Sequence, residues 1–134
     1  MKSYTNIEQS KKLAEFMPIE SADMFYRDSN SDDVKLMWEH VAPKVTTPCW
    51  SLAALLDILP ETIEDEYAEY ELEIDMIDKK PRYVWLGDCY HSDFPSWDWD
   101  NKELLDNIVE AVIWLNDNGY LRSQLPTNEF VGLP

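Results

Sequence analysis

Apolar residues recur at helical spacing in three segments of the chain and at every second position in a fourth, and these patterns predict most of its regular structure. In the first segment Ile7, Leu13, Ala14 and Met17 share one helical face, Thr5 and Glu8 have the spacing of a capping box, and Pro18 ends the run. The second predicts a helix with Thr47 as N-cap, Pro48 at the first helical position and Pro60 as terminator. Between those prolines only Ser51 and Asp57 are polar, so the pattern expects a helix buried nearly all round at the centre of the core, with Leu52 and Leu56 shielded from water. The third helix is expected to start at Asp100, with Glu103 completing a capping box and Trp99 stapled against Leu104. Leu104, Leu105, Ile108, Val112 and Leu115 face inward, Val109 and Ile113 flank them, and Asn118-Gly119 supplies the stop.

The fourth segment alternates: Tyr70, Leu72, Ile74 and Met76 interleave with Glu71, Glu73 and Asp75, a strand with one buried and one acidic face. A tight turn on Lys79-Lys80 would pair Met76 with Tyr83 and Ile74 with Trp85 on a second strand over residues 82–86, leaving Arg82 as the only cation near the acidic face. Residues 22–26 and 34–38 predict another hairpin through a turn-rich 28–33. The order α-β-β-α-β-β-α implies an α+β fold: a single domain over residues 1–120, with three helices covering one face of a small antiparallel sheet of about four strands. Residues 121–134 have no periodicity and are expected to form a tail, packed on the domain or mobile.

Composition changes this picture in one respect. The 45% apolar fraction and six tryptophans exclude intrinsic disorder, and 134 residues suffice for a sizeable core. The formal charge of −16, however, is unevenly spread. Residues 1–56 carry eight acids against six bases, whereas residues 57–117 carry eighteen acids against Lys79, Lys80, Arg82 and Lys102. A surface of that sign repels phosphates, which argues against direct nucleic-acid binding, and it attracts a partner protein with a basic surface.

Catalytic chemistry is sparse. Gly87, Gly119 and Gly132 are the only glycines, so neither a phosphate-cradling loop nor a dinucleotide fingerprint can be written. With His40 and His91 as the only histidines, no zinc framework can be built, and no metal or cofactor is expected. Cys49 and Cys89 read as reduced thiols, which implies a cytoplasmic protein, and no signal peptide or membrane span is expected. The competing reading is a small hydrolase or metal-dependent enzyme around Cys89, His91, Asp93 and Asp98, although Cys89 and His91 lack a third orienting group. Asp98, Asp100 and Glu103 fall short of a calcium loop, because Glu103 stands where glycine is needed and Lys102 at a ligand position.

Two features point to binding instead. On the third helix Trp114 groups with Asn107, Glu110 and Asp117, off the apolar stripe. It is either covered by Leu125, Phe130 or Val131 from the tail or exposed as an aromatic anchor in an acidic surface. On the strand, Glu71, Glu73 and Asp75 project carboxylates roughly 6.6 to 7 Å apart, a ladder that imitates phosphates or, more simply, deters edge aggregation. Glu71, Glu73, Asp75, Glu110, Trp114 and Asp117 form the expected partner-binding set. A third reading is a structural homo-oligomeric subunit.

The segments 5–24 and 47–60, the latter reading Thr47-Pro48-Cys49-Trp50-Ser51-Leu52-Ala53-Ala54-Leu55-Leu56, resemble those of small acidic proteins carried by prophages and mobile elements of gut bacteria. The closing run Ala111-Val112-Ile113-Trp114-Leu115 to Asn118-Gly119-Tyr120 is similar as well. That family has no assigned activity, so the resemblance transfers no ligand and no functional residue. It implies an accessory protein able to interfere with host DNA-binding proteins. Together these readings describe a non-enzymatic, cytoplasmic, protein-binding accessory domain.

Overall fold

Asn6, one residue later than the pattern predicts, caps the first helix in the computed structural model, which describes residues 1–26, 34–36, 47–64, 66, 68–85, 93–94 and 101–121. The Asn6 side chain accepts the Gln9 N–H at 2.8 Å and the Gln9 side chain accepts the Asn6 N–H at 3.0 Å, giving the capping box of α1 (Ile7–Ala14). Thr5 is unavailable for that role. Its hydroxyl is buried, accepts the Trp50 N–H at 3.1 Å and lies 2.7 Å from the Ser10 hydroxyl, while its own N–H donates to the Trp50 carbonyl at 3.0 Å.

The expected hairpin of the first half is present as β1 (Met24–Tyr26) and β2 (Val34–Leu36), paired antiparallel. The expected cap of the second helix is not. Thr47 and Pro48 belong to β3 (Thr47–Cys49), which pairs with β1 to give a three-stranded sheet of order β2-β1-β3. A proline lacks an N–H to donate, which suits the outer strand of a sheet as well as the first turn of a helix, and pairing with β1 decides between them. The helix proper, α2 (Leu52–Ile58), begins after Ser51, whose hydroxyl accepts the Ala54 N–H at 3.1 Å. The Asp23 carboxylate in turn accepts the Ser51 N–H at 2.9 Å and its hydroxyl. With seven residues, α2 buries only one face, chiefly Leu55 and Ile58, partly against α3 (Leu104–Asp117). Leu52 is half-buried, Ala53 and Asp57 are exposed and Leu56 is 37% exposed, so α2 lies at the border of the core rather than at its centre.

The second sheet has four strands, β4 (Thr62–Glu64), β5 (Glu69–Asp75), β6 (Lys80–Trp85) and β7 (Asp93–Phe94), in that order and all antiparallel. The single expected sheet is therefore two, and β3, β4 and β7 are additional strands. Across β5 and β6 the register joins Leu72 to Tyr83, Ile74 to Pro81 and Asp75 to Lys80, not Met76 to Tyr83. The tight two-residue turn is replaced by four residues, 76–79, with Lys79 at φ +58°. Because the slip relative to the expected pairing is an even number of residues, it leaves the faces unchanged. Tyr70, Leu72 and Ile74 still pack inward beside Ile63 and Tyr83. The Tyr83 hydroxyl donates to the Pro60 carbonyl at 2.8 Å, and burial pushes this phenol well above the usual tyrosine range.

The centre of the core is α3, which packs against β6 and α2 with Leu104, Leu105, Ile108, Val109, Ala111, Val112 and Leu115 buried. All five residues that the 3.6-residue period turns inward are buried, with flanking Val109 and, beyond the expected set, Ala111, while Ile113 on the other flank is half-buried. Its N-terminal cap differs from expectation: Glu103 occupies the cap position without a side-chain cap bond, and its carboxylate accepts the Lys2 backbone N–H at 2.8 Å. Trp99 and Asp100 lie outside the described residues. The helix stops as expected at Gly119, whose φ of +81° is a left-handed value that glycine adopts without a Cβ penalty. Leu121 is buried, and the rest of the tail falls outside the described residues. Among the described residues three α-helices and two antiparallel sheets make this an α+β fold, as its pattern implies.

Candidate functional site

The face of the four-stranded sheet turned away from the core is where the acidic alternation of β5 ends up. Glu69, Glu71 and Glu73 are exposed there and Asp75 is half-buried. The register sets Glu64 opposite Glu69, Thr62 opposite Glu71, Arg82 opposite Glu73 and Lys80 opposite Asp75. Two like charges directly opposite, as at Glu64 and Glu69, oppose strand pairing. Arg82 bridges the far end: its Nη2 and Nε donate to Glu73 Oε1 at 2.9 and 3.1 Å, and Nη2 lies 3.4 Å from Asp75 Oδ2. An exposed pair of this kind contributes only about 0–1 kcal/mol. Lys80 stands opposite Asp75, so Arg82 is not the only cation of this face.

Asp75 also organises the turn that follows. Its Oδ1 accepts the N–H of Ile77 at 2.9 Å and of Asp78 at 3.0 Å. The backbone bond from Asp78, helped by that from Ile77 and by the Arg82 guanidinium, holds its carboxyl below the usual aspartate range. A depressed carboxyl contributes stability that is complete above its unfolded-state value and lost as pH falls through its folded-state value. The Ile77 and Asp78 amide resonances should accordingly titrate together in acid, with a midpoint below the ordinary aspartate value of 3.8. A midpoint at or above it would contradict the bonding described.

On the other side of the turn, the Lys79 carbonyl accepts Asn107 Nδ2 at 2.6 Å. Asn107 is fully buried, not on a solvent face beside Trp114 as helical spacing suggests, because all of its amide finds partners: Nδ2 also donates to the Asn101 carbonyl at 3.0 Å, and Oδ1 accepts from Asn101 N and Nδ2. Two of the four turn residues held between these anchors are apolar and open to solvent. Met76 is 58% exposed instead of facing inward, and Ile77 is 91% exposed. Alternation carried one residue too far concealed this: the strand ends at Asp75, before Met76.

The expected partner-binding set is divided between two layers. Glu71, Glu73 and Asp75 share the outer sheet face, whereas Glu110, Trp114 and Asp117 lie on α3, packed across the core from it. Glu110 is half-buried and accepts Asn101 Nδ2 at 2.7 Å. Trp114 is half-buried against the core and stacks on Tyr120, centroids 5.6 Å apart at 18°. Asp117 is exposed in the last turn. The tail residues Leu125, Phe130 and Val131 fall outside the described residues, as do Cys89, His91 and Asp98, and Asp93 is described only as a β7 position opposite Val84.

Other chemistry is limited among the described residues. Cys49 is free and fully buried, and desolvation pushes its thiol up despite its bonds to Thr5, so it remains protonated. A shallow groove of about 390 Å³ runs between α1 and α3, but Lys2, Gln9 and Asp106 on its walls are already bonded to one another. No three His, Cys, Asp or Glu among the described residues converge to hold a metal ion, and no helix among them is long and apolar enough to cross a membrane. Compared with protein-family models, curated proteins and solved structures, the chain matches none.

Proposed function

We propose that the protein acts by binding another protein through the outer face of its four-stranded sheet, occupying a basic surface of the kind that nucleic-acid-binding proteins present. The observation that carries this reading is the exposed row Glu69, Glu71 and Glu73, with Glu64 alongside, held at regular intervals by paired strands. Backbone positions fixed about 7 Å apart on paired strands present these carboxylates at a regular spacing to lysine and arginine side chains, so only the side chains remain to be ordered on binding. The sorting of negative charge into residues 57–117 steers such a partner toward this half of the chain. The resemblance to phage-borne proteins directs the search to host DNA-binding proteins. The reading uses Glu71, Glu73 and Asp75 and leaves out Glu110, Trp114 and Asp117, which a single flat partner on the sheet does not reach.

The test separates this face from net charge. Glu69→Gln/Glu71→Gln removes two charges from the sheet and keeps the Arg82–Glu73 pair, whereas Glu8→Gln/Glu15→Gln removes two exposed charges from around α1. A partner captured from lysate at low salt, purified and titrated against each variant, should lose about five- to tenfold in affinity with the first pair only, and the difference should shrink at high salt. Equal losses from both pairs, or affinity indifferent to salt, would refute the reading.

A further inference from the structure

We infer that the turn at residues 76–79 is the anchor of this interaction, with Met76 and Ile77 entering an apolar pocket whose rim is lined by lysine or arginine. The inference rests on the binding role proposed for the adjacent sheet face and adds the element that fixes the partner in place. Turns between paired strands ordinarily carry glycine, asparagine, aspartate or proline. Here two large apolar residues, Met76 and Ile77, precede Asp78 and Lys79 in the turn, both exposed and Ile77 almost wholly in water. The backbone of the turn that carries them is held in place. The Asp75 carboxylate takes the N–H groups of Ile77 and Asp78, and the fully buried Asn107 takes the Lys79 carbonyl from the core side. A tip braced from both ends loses little freedom on binding, which is what makes a small apolar contact effective.

Charge selects the occupant. The tip is continuous with the outer sheet face, where Glu64, Glu69, Glu71, Glu73 and Asp75 outnumber Arg82 and Lys80. A second copy of a chain with a formal charge of −16, or an anionic lipid surface, would meet that face with repulsion. A protein pocket with a cationic rim meets it with attraction, and burial of an isoleucine and a methionine then slows dissociation.

The experiment compares wild type, Met76→Ser/Ile77→Ser and Glu69→Gln/Glu71→Gln against the purified captured partner across a salt series. Melting curves that do not fall below that of wild type confirm that each variant folds, as expected for exposed positions. The tip variant should lose about tenfold or more in affinity at every salt concentration, chiefly through faster dissociation, while the sheet variant loses affinity only at low salt. A partner that the tip variant binds as tightly as wild type overturns the anchor and leaves the sheet reading standing. A partner lost by the tip variant but indifferent to the sheet variant keeps the anchor and overturns the charged face. Capture of nothing by wild type overturns both. Two direct measurements complete the set: flotation with phosphatidylserine–phosphatidylcholine vesicles and sedimentation of the protein alone. Vesicle binding or self-association that Met76→Ser/Ile77→Ser abolishes would assign the tip to those occupants and overturn the proposal.

Discussion

Trp50→Ala is expected to destabilise the protein by about 4 kcal/mol, a large share of the roughly 5–15 kcal/mol available to a domain. Trp50 is the largest fully buried side chain among the described residues, so its removal leaves a cavity that neighbouring segments cannot fill without moving. It is also a junction. Its indole N–H donates to the Ser21 hydroxyl at 3.0 Å, its backbone N–H to the Thr5 hydroxyl at 3.1 Å, and its carbonyl accepts the Thr5 N–H at 3.0 Å. Losing the side chain therefore empties volume and removes one bond to the Ser21 hydroxyl, which keeps its own bond to the Pro18 carbonyl, while Trp50→Phe keeps most of the volume and should cost about half as much. Urea unfolding followed by far-ultraviolet circular dichroism measures both. A loss under about 1 kcal/mol for the alanine variant would show that this region repacks freely.

Asn107→Ala should cost about 2–4 kcal/mol, with a local consequence as well as a global one. The side chain makes four hydrogen bonds, two to Asn101 as acceptor and one each to the carbonyls of Asn101 and Lys79 as donor. Deleting it takes the partner from the Asn101 N–H and from the carbonyls of Asn101 and Lys79, whereas Asn101 Nδ2 keeps its bond to Glu110, and groups that lose a partner at the edge of the core cost more than the net worth of the bonds themselves. Asn107→Leu fills the volume but still strands the same groups, so it should rescue little. Amide exchange supplies the local readout: protection should fall at Ile77, Asp78 and Lys80 in excess of the global loss, and not at Thr5 or Trp50. Uniform loss across all of these positions would mean that Asn107 contributes to overall stability without bracing the turn.

What could be read from the residues alone divides by the range of the interactions involved. The inward set of α3 and the acidic alternation of β5 follow from periodicity, which is local and needs no partner to be seen. The β1–β2 hairpin likewise joins neighbouring segments. Thr47 and Pro48 were misleading because a cap followed by proline satisfies the rule for a helix start and the requirements of an outer strand equally. The deciding bonds go to β1, more than twenty residues earlier. The same holds for Thr5, whose hydroxyl bonds the Trp50 N–H and the Ser10 side chain rather than capping a backbone N–H of its own helix. Within the candidate site, the carboxylates of β5 were legible and their outward direction with them. The braced tip was not, since its exposure depends on where β5 ends and its support comes from Asn107, a polar residue whose burial is explained only by partners at Asn101 and Lys79.

The even slip between the expected and the observed pairing of β5 with β6 bears on how the chain reaches this state. A misaligned zipper displaced by two or four residues keeps oil on the same side, so burial by itself does not reject it. The native alignment is marked inside the hairpin by the Arg82–Glu73 pair and the turn capped by Asp75, and from outside it by the Tyr83 phenol on Pro60 and the Asn107 carboxamide on Lys79. The alignment is thus specified jointly by the hairpin's own turn and by α3 and the stretch after α2, each adding contacts that a slipped ribbon lacks.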